Sequence, residues 1–268
     1  NPLEVARRRL VHRHVEVRAG GRLSRDRCRR CRRELPEGAR FCGRCGRPTE
    51  DVERAQLGEL ERRSAEERSS IVALAIVFVG SLFAILLPLP VESELVFRSV
   101  RLALLAVVAC AASFCLGRNG WRLGWAGASE PRWMLLAVGL GCLSFGISYV
   151  YVQGLLFVLE EEGGAGGESI PLGLLLLDVV VLTAVIEEWL CRGVLWAALK
   201  RVADKALVIV FLSALLFALL HSFNGLFFFE WPHRFLLGGL CGWLRYRSGS
   251  LWPCILLHAV NNLLATLL

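Results

Sequence analysis

Long apolar runs separated by short polar loops fill the chain after Ser70. A helix needs about 20 mostly apolar residues to cross a bilayer, and several of these runs reach or approach that length. We place the spans at residues 71–89, 95–116, 133–159, 171–199, 206–223, 233–247 and 251–268. The pattern predicts an all-α polytopic membrane protein with about seven transmembrane helices.

The loops between the spans alternate in charge. Acidic loops contain Glu92 with Glu94, and Glu160, Glu161, Glu162 with Glu168; basic loops contain Arg118, Arg122 and Arg132, then Lys200, Arg201 and Lys205, then Arg245 and Arg247. Because basic loops stay on the cytoplasmic side, the N-terminus is expected inside the cell and the C-terminus outside. The great excess of Arg over Lys is typical of bacteria, so we expect the bacterial inner membrane.

The first 70 residues are polar and basic. They contain 19 Arg and 12 acidic residues, whereas the remainder is balanced, so this segment carries the whole net charge of +7. We divide the chain into a basic N-terminal segment (1–25), a cysteine module (26–48), a charged helical linker (49–70) and a membrane domain (71–268). With 55% hydrophobic and only 21% charged residues, the chain is too apolar for an ordinary soluble domain.

Four cysteines of the module have the spacing C-x2-C-x10-C-x2-C: Cys28, Cys31, Cys42 and Cys45. Two-residue spacing lets both thiolates of a pair reach one ion, and four thiolates complete a tetrahedral structural zinc site. Two disulfides are the alternative, but the cytoplasm keeps thiols reduced. The module resembles the short zinc ribbons that precede many bacterial membrane proteins.

The arginine-rich surroundings of the module raise the question of nucleic acid. Phe41 is the one aromatic residue interleaved with these arginines, which argues against a base-stacking surface. Arginine next to a first membrane span is also what topology alone requires. We therefore expect a membrane anchor or a surface for a cytoplasmic protein partner.

Ionisable residues inside the apolar runs are the best candidates for chemistry. Counted at about 1.5 Å per residue from the nearest basic loop, Glu187 lies roughly 20 Å deep, His221 roughly 24 Å, and His258 with Asn262 roughly 12–18 Å. One buried site can therefore hold all of them. A lone membrane His or Asn more often joins helices by a hydrogen bond, but three runs bring polar groups to one depth.

Spacing also predicts contacts within the helices. Glu188 and Arg192 are four residues apart, so they can pair on one helix face while Glu187 points away. His258 and Asn262 share the same spacing, which places both side chains on one face of the last helix.

These residues form ordered motifs: Glu187-Glu188-x3-Arg192, Phe217-x3-His221, a Gly238-Gly239 block ending at Pro253, and His258-x3-Asn262. Over residues 170–264 the chain resembles the CAAX-protease and bacteriocin-processing family of intramembrane proteases. The resemblance implies an endopeptidase that cleaves a membrane-associated peptide or protein. It also implies that Glu187 and His221 activate a water and that His258 and Asn262 stabilise the oxyanion. The spacing of Glu188 and Arg192, by contrast, predicts that these two residues pair and support the site.

Other readings of the polar cluster stay open. The same Glu and His residues could bind a catalytic divalent metal, although the chain lacks the His-Glu-x-x-His helix typical of zinc proteases. A non-catalytic membrane scaffold or immunity protein could use the cluster structurally. A transporter is disfavoured, because the sequence shows neither inverted repeats nor paired broken helices.

Overall fold

The computed structural model describes residues 27–87, 93–117, 124–125, 130–159, 170–221 and 227–268. The described residues form two compact units, which divide between Ser64 and Ala65. The expected basic segment 1–25 lies outside the described residues. So do the loop charges Glu92, Arg118, Arg122, Glu160, Glu161, Glu162 and Glu168.

Two similar hairpin loops make up the cysteine module. In the first, an antiparallel bridge joins Arg27 to Glu34; in the second, one joins Phe41 to Pro48. The turns close in the same way, because Arg32 N donates to Cys28 O and Gly46 N donates to Cys42 O, both at 2.8 Å. Both turn residues have positive φ, 56° at Arg32 and 68° at Gly46. The second loop uses the glycine that this conformation favours.

Seven helices account for nearly all the remaining described residues, and the predicted all-α fold is confirmed. They are α1 (Glu50–Leu86), α2 (Glu94–Cys115), α3 (Pro131–Leu159), α4 (172–202), α5 (Ala206–His221), α6 (Phe227–Ser248) and α7 (Trp252–Leu267). The described residues contain no β-strand beyond the isolated bridges. Within the described ranges, three helical segments are long and apolar enough to cross a membrane, Glu50–Leu86, Leu95–Cys115 and Pro131–Leu156.

Helix α4 contains two π-helical stretches and continues through both without breaking. Two π-helical stretches, Leu176–Leu182 and Trp189–Leu195, alternate with α-helical turns, and the residues at each junction keep right-handed helical angles. A π turn uses more residues per turn than an α turn and therefore rotates the side chains that follow. The helix that carries Glu187, Glu188 and Arg192 is thus not a regular helix, which its sequence does not reveal.

Close helix pairs surround α4. Helix α5 packs along α6, and α3 packs along α7. Glycines permit the close approach: a Cβ on Gly238 of α6 would lie 3.1 Å from the Cα of Ala214 in α5, and a Cβ on Gly141 of α3 would lie 2.9 Å from the Leu257 carbonyl oxygen in α7. Small residues at helix crossings are the usual way to pack membrane helices. They hold the neighbours of α4 at fixed distances.

Replacing Gly141 with alanine tests this packing. The added methyl group would also lie 2.9 Å from Val260 Cβ, so α3 and α7 must move apart. Overpacking of this kind costs about 1–3 kcal/mol, and we expect a lower Tm in detergent, measured by tryptophan fluorescence. Gly139→Ala is the matched control on the same helix, because no atom lies within 4 Å of its added Cβ. Equal Tm values for the two variants would contradict a close contact at Gly141.

Candidate active site and metal centre

The four module cysteines converge on one point. Cys28 Sγ lies 3.6 Å from Cys45 Sγ, and Cys31 Sγ lies 3.5 Å from Cys42 Sγ. All four sulfurs are within 4.8 Å of one another, and all four cysteines are free thiols. A tetrahedron with Zn–S bonds of about 2.3 Å places its sulfurs roughly 3.8 Å apart, so these residues fit one zinc ion.

The pKa values of the thiols also indicate a site for a cation. Backbone N–H groups of Arg44 and Cys45 lower the pKa of the Cys42 thiol to about 6. At Cys31 the backbone N–H of Arg33 lowers the pKa, but burial and the neighbouring thiols outweigh it and raise the pKa to about 11. The backbone thus stabilises one thiolate, whereas a second thiolate beside it is disfavoured unless a positive ion lies between the sulfurs. Bound there, zinc would hold the two loops together and supply the folding energy that so small a core lacks.

In the membrane domain, Glu188 and Arg192 form a fully buried ion pair. Arg192 Nη1 donates to Glu188 Oε1 at 2.9 Å, and neither side chain is exposed to solvent. Arg192 Nη2 donates to the Gly238 carbonyl oxygen at 2.6 Å. The guanidinium carbon of Arg192 lies 4.7 Å from the centre of the Phe217 ring. The cation therefore links α4 to α5 and α6, and its charge is balanced where no water can reach it.

His258 connects the same carboxylate to α7. Its Nδ1 lies 3.0 Å from Glu188 Oε1, while its Nε2 lies 3.9 Å from Glu187 Oε2. A carboxylate only accepts hydrogen bonds, so the Nδ1–H of His258 donates to Glu188. This bond fixes the ring and turns its other nitrogen toward Glu187. The contact between Glu188 and His258 was not predicted from the sequence.

Glu187 and His221 face each other from α4 and α5. His221 Nε2 lies 3.3 Å from Glu187 Oε2, and His221 Nδ1 donates to the Phe217 carbonyl oxygen at 2.7 Å. Glu187 Oε2 accepts no hydrogen bond from the described residues. In a neutral His221 ring with its proton on Nδ1, Nε2 keeps a free lone pair. Two acceptors therefore meet at one point, where a water can donate a proton to each.

A cavity of about 800 Å³ brings the predicted polar residues together. Glu187, His221, His258 and Asn262 all line it. The Nδ2 of Asn262 donates to the Val179 carbonyl oxygen at 3.0 Å, which ties α7 to the first π-helical stretch of α4. An amide nitrogen has two hydrogens, so Asn262 keeps a second N–H for another acceptor.

Three further residues complete this site. Phe217 and Gly238 belong to the sequence motifs and Arg245 to a basic loop, but the sequence alone gave none of them a contact in the site. Phe217 contacts Arg192 and also lies edge-on to His258, with the ring centres 5.6 Å apart. Gly238 leaves room for the guanidinium, since a Cβ there would lie 3.2 Å from Arg192 Nη2. Arg245 Nε donates to the Arg192 carbonyl oxygen at 2.9 Å. Arg245 had a further signal in the sequence, because its charge lies close to an apolar run.

Comparison with known families supports the motif analysis. The family model described as Type II CAAX prenyl endopeptidase Rce1-like matches residues 169–264. The match runs through α4, α5, α6 and most of α7, and it includes every predicted site residue of the membrane domain. The resemblance inferred from the motifs is confirmed over this segment, which is similar at the family level to CAAX-type intramembrane proteases. Neither the curated proteins nor the solved structures gave a match.

Removing the buried cation should destabilise the membrane domain. Arg192→Ala leaves Glu188 charged, buried and without its main partner, which costs roughly 3–5 kcal/mol. We expect a low folded yield and a lower Tm, and Arg192→Lys should be intermediate because it keeps the charge. Arg247→Ala is the control, since Arg247 is exposed on the same helix as Gly238. An inactive Arg192→Ala protein with the wild-type Tm would instead place Arg192 in substrate binding.

Metal analysis tests the cysteine cluster. We expect one zinc per full-length chain and none after Cys28→Ser with Cys42→Ser, because a structural site needs all four ligands. Cys142→Ser, which changes an exposed thiol on α3, is the matched control and should keep the ion. Full zinc content in the double variant would show that the metal binds elsewhere.

Proposed function

We propose that the protein is an intramembrane endopeptidase in which Glu187 and His221 activate a water molecule. The observation that carries the proposal is the position of Glu187 Oε2, which accepts no hydrogen bond from the described residues, 3.3 Å from His221 Nε2 at the wall of one cavity. A water bound to both can lose a proton to either as its oxygen attacks a peptide carbonyl carbon. The family similarity of residues 169–264 supports the same reaction class.

The tetrahedral intermediate needs donors for its oxyanion, and we assign this role to His258 and Asn262. Both line the cavity beside Glu187. His258 can donate from Nε2 when its ring is doubly protonated, because Nδ1–H is already held by Glu188. Asn262 can donate its second amide hydrogen. Donors held in advance in a site poor in water stabilise developing charge more strongly than donors in bulk water.

A metal-independent version of this mechanism is favoured by the positions of the ligand atoms. Among the described residues, the four module cysteines are the group of possible metal ligands that converges on one point, with all four sulfurs within 4.8 Å of one another. Glu187, His221 and His258 share the cavity without forming such a group. The orientation of His221 by the Phe217 carbonyl also leaves one nitrogen for the water.

The zinc ribbon has no part in this chemistry in our proposal. We propose that it is a small module that binds a cytoplasmic protein partner. Substrates would be membrane-associated peptides or proteins that reach the cavity from the bilayer.

Glu187→Gln should abolish cleavage. The amide keeps the shape of the side chain but cannot accept a proton, so the rate should fall by at least about a hundredfold. The measurement compares peptide fragments released by purified wild-type and variant proteins of equal Tm. Glu130→Gln, an exposed carboxylate at the start of α3 that pairs with Arg132, is the control and should cleave normally. Unchanged cleavage by Glu187→Gln would overturn the assignment and favour a non-catalytic scaffold.

A shortened chain that begins at Ser64 shows whether zinc binds at the ribbon cysteines or at the proposed catalytic residues. It lacks all four ribbon cysteines, and we expect it to keep proteolytic activity while containing no stoichiometric zinc. Metal content and activity are measured on the same samples. If the shortened protein holds zinc, and His221→Ala removes the zinc together with activity, the enzyme is a metalloprotease.

A further inference from the structure

Two side chains from neighbouring helices donate hydrogen bonds to the backbone of α4. Asn262 Nδ2 of α7 donates to the Val179 carbonyl oxygen at 3.0 Å, and Arg245 Nε of α6 donates to the Arg192 carbonyl oxygen at 2.9 Å. Val179 lies in the first π-helical stretch and Arg192 in the second. Carbonyl groups inside a helix normally accept from that helix's own N–H groups. The two bonds from outside therefore need an explanation.

The end of the second π-helical stretch provides it. The N–H of Trp196 donates to the Cys191 carbonyl oxygen, five residues earlier. The α-helical winding resumes at Trp196, so the next N–H, that of Ala197, pairs four residues back with Gly193. The carbonyl of Arg192 lies between these two acceptors and is passed over by the regular bonds of the helix. Arg245 donates to this carbonyl.

The first stretch ends in the same way. The N–H of Thr183 donates to the Asp178 carbonyl oxygen, five residues earlier, and the carbonyl that is then passed over belongs to Val179. Asn262 and Arg245 thus donate to the two carbonyls that the π-helical winding leaves without a regular partner. Under α-helical winding each carbonyl would have an N–H of its own helix. Because a buried carbonyl without a donor costs free energy, both side chains favour the π-helical winding.

The winding of the second stretch sets the direction of Glu187, because the far end of α4 is anchored. There Arg201 Nη2 donates to the Leu116 carbonyl oxygen at 3.2 Å, and Leu199 is buried in the core. The second stretch lies between this end and Glu187. One residue of an α-helix corresponds to a rotation of about 100°. A return to α-helical winding would therefore turn Glu187 about the helix axis by roughly that angle.

Arg245 is packed on its other side against the loop between α2 and α3. A Cβ on Gly124, which has a φ of 84°, would lie 2.6 Å from Arg245 Nη2. The carbonyl oxygen of Gly124 accepts from Leu251 N at 3.0 Å. Next to it, the ring of Trp125 lies edge-on to that of Trp189, the first residue of the second stretch, with the centres 6.4 Å apart. The guanidinium therefore lies between this loop and α4.

We propose that Arg245 is a positioning residue for the reaction described above. Its bond to the Arg192 carbonyl holds the second π-helical stretch, and that stretch points Glu187 toward His221. The inference rests on the proposed function, because Glu187 is the base of that reaction. Arg245 lies outside the described wall of the cavity, so it acts through the helix. Asn262 lines the cavity and has a proposed role at the oxyanion, so Arg245 is the better residue for a test.

Kinetics of full-length protein in nanodiscs, with a fluorogenic apolar peptide as the probe, test the role. Arg245→Met keeps the apolar stem but removes the donor, and Arg245→Gln removes the reach with a polar side chain. For both we expect kcat per folded protein to fall at least about tenfold, with KM close to wild type, because a misplaced reacting group slows the chemical step. Arg245→Lys keeps a donor and should recover much of the rate. Arg247→Met, at an exposed site on α6, is the matched control and should cleave normally.

Nuclear magnetic resonance of the same proteins labelled with 15N-histidine reports the winding without turnover. The chain has five histidines, and single His→Gln variants assign their signals. Arg245→Met should move the signals of His221 and His258, because both rings face carboxylates of α4. His233, which lies beside a tyrosine of α3, should keep its signal. Arg245→Lys should return the moved signals toward their wild-type positions.

The two measurements separate this role from the catalytic assignment. Unmoved histidine signals in Arg245→Met would overturn the positioning role, and so would a lower Tm with wild-type kcat per folded protein. If Arg245→Lys folds but neither Arg245→Met nor Arg245→Gln does, the bond serves folding and the positioning role is wrong. Signals that move and are restored by lysine, in a protein that cleaves nothing, support Arg245 while the proposed function fails alone. Normal cleavage by Arg245→Met leaves the protease and removes the role of Arg245.

Discussion

The buried ion pair between Glu188 and Arg192 holds the membrane domain's polar interior together. Both side chains are completely buried, so each charge would be prohibitively costly without the other. Glu188 also binds His258 on α7, and Arg192 also binds the Gly238 carbonyl on α6. One pair thus determines how three helices meet, and the position of His258 in the cavity follows from it.

Adjacent glutamates have different tasks because their surroundings differ. Glu188 is enclosed by the cation of Arg192 and by His258, so its carboxylate has a structural role. Glu187 points to the cavity, 3.3 Å from His221, with one oxygen that accepts no hydrogen bond from the described residues. Proteins commonly separate the roles of two neighbouring carboxylates by environment in this way. The chemistry proposed for Glu187 depends on the neutralisation that Arg192 provides next to it.

Much of this arrangement could be predicted from particular residues. The C-x2-C pairs predicted a four-thiolate cluster, because a two-residue loop brings such cysteines together independently of the rest of the fold. The structure contains that cluster. Ionisable residues at equal depth in apolar helices predicted a shared site. The same reasoning applies to Arg98 and Arg101 on α2, which also line the cavity. The π-helical turns of α4 had no signal, because no proline or glycine pair marks them.

The sequence by itself determined the helical membrane fold, the cysteine cluster and the set of polar residues available to a site. These depend on local properties: the length of an apolar run, the spacing of ligands, and the cost of a charge in lipid. Only the tertiary structure decided which partners those residues take. Glu188 bonds to His258, seventy residues later, and Arg192 to the Gly238 carbonyl, because helix crossings set by small residues such as Gly238 bring those atoms within reach. Contacts of that kind depend on how helices pack against each other, and no local pattern in one helix encodes the position of another.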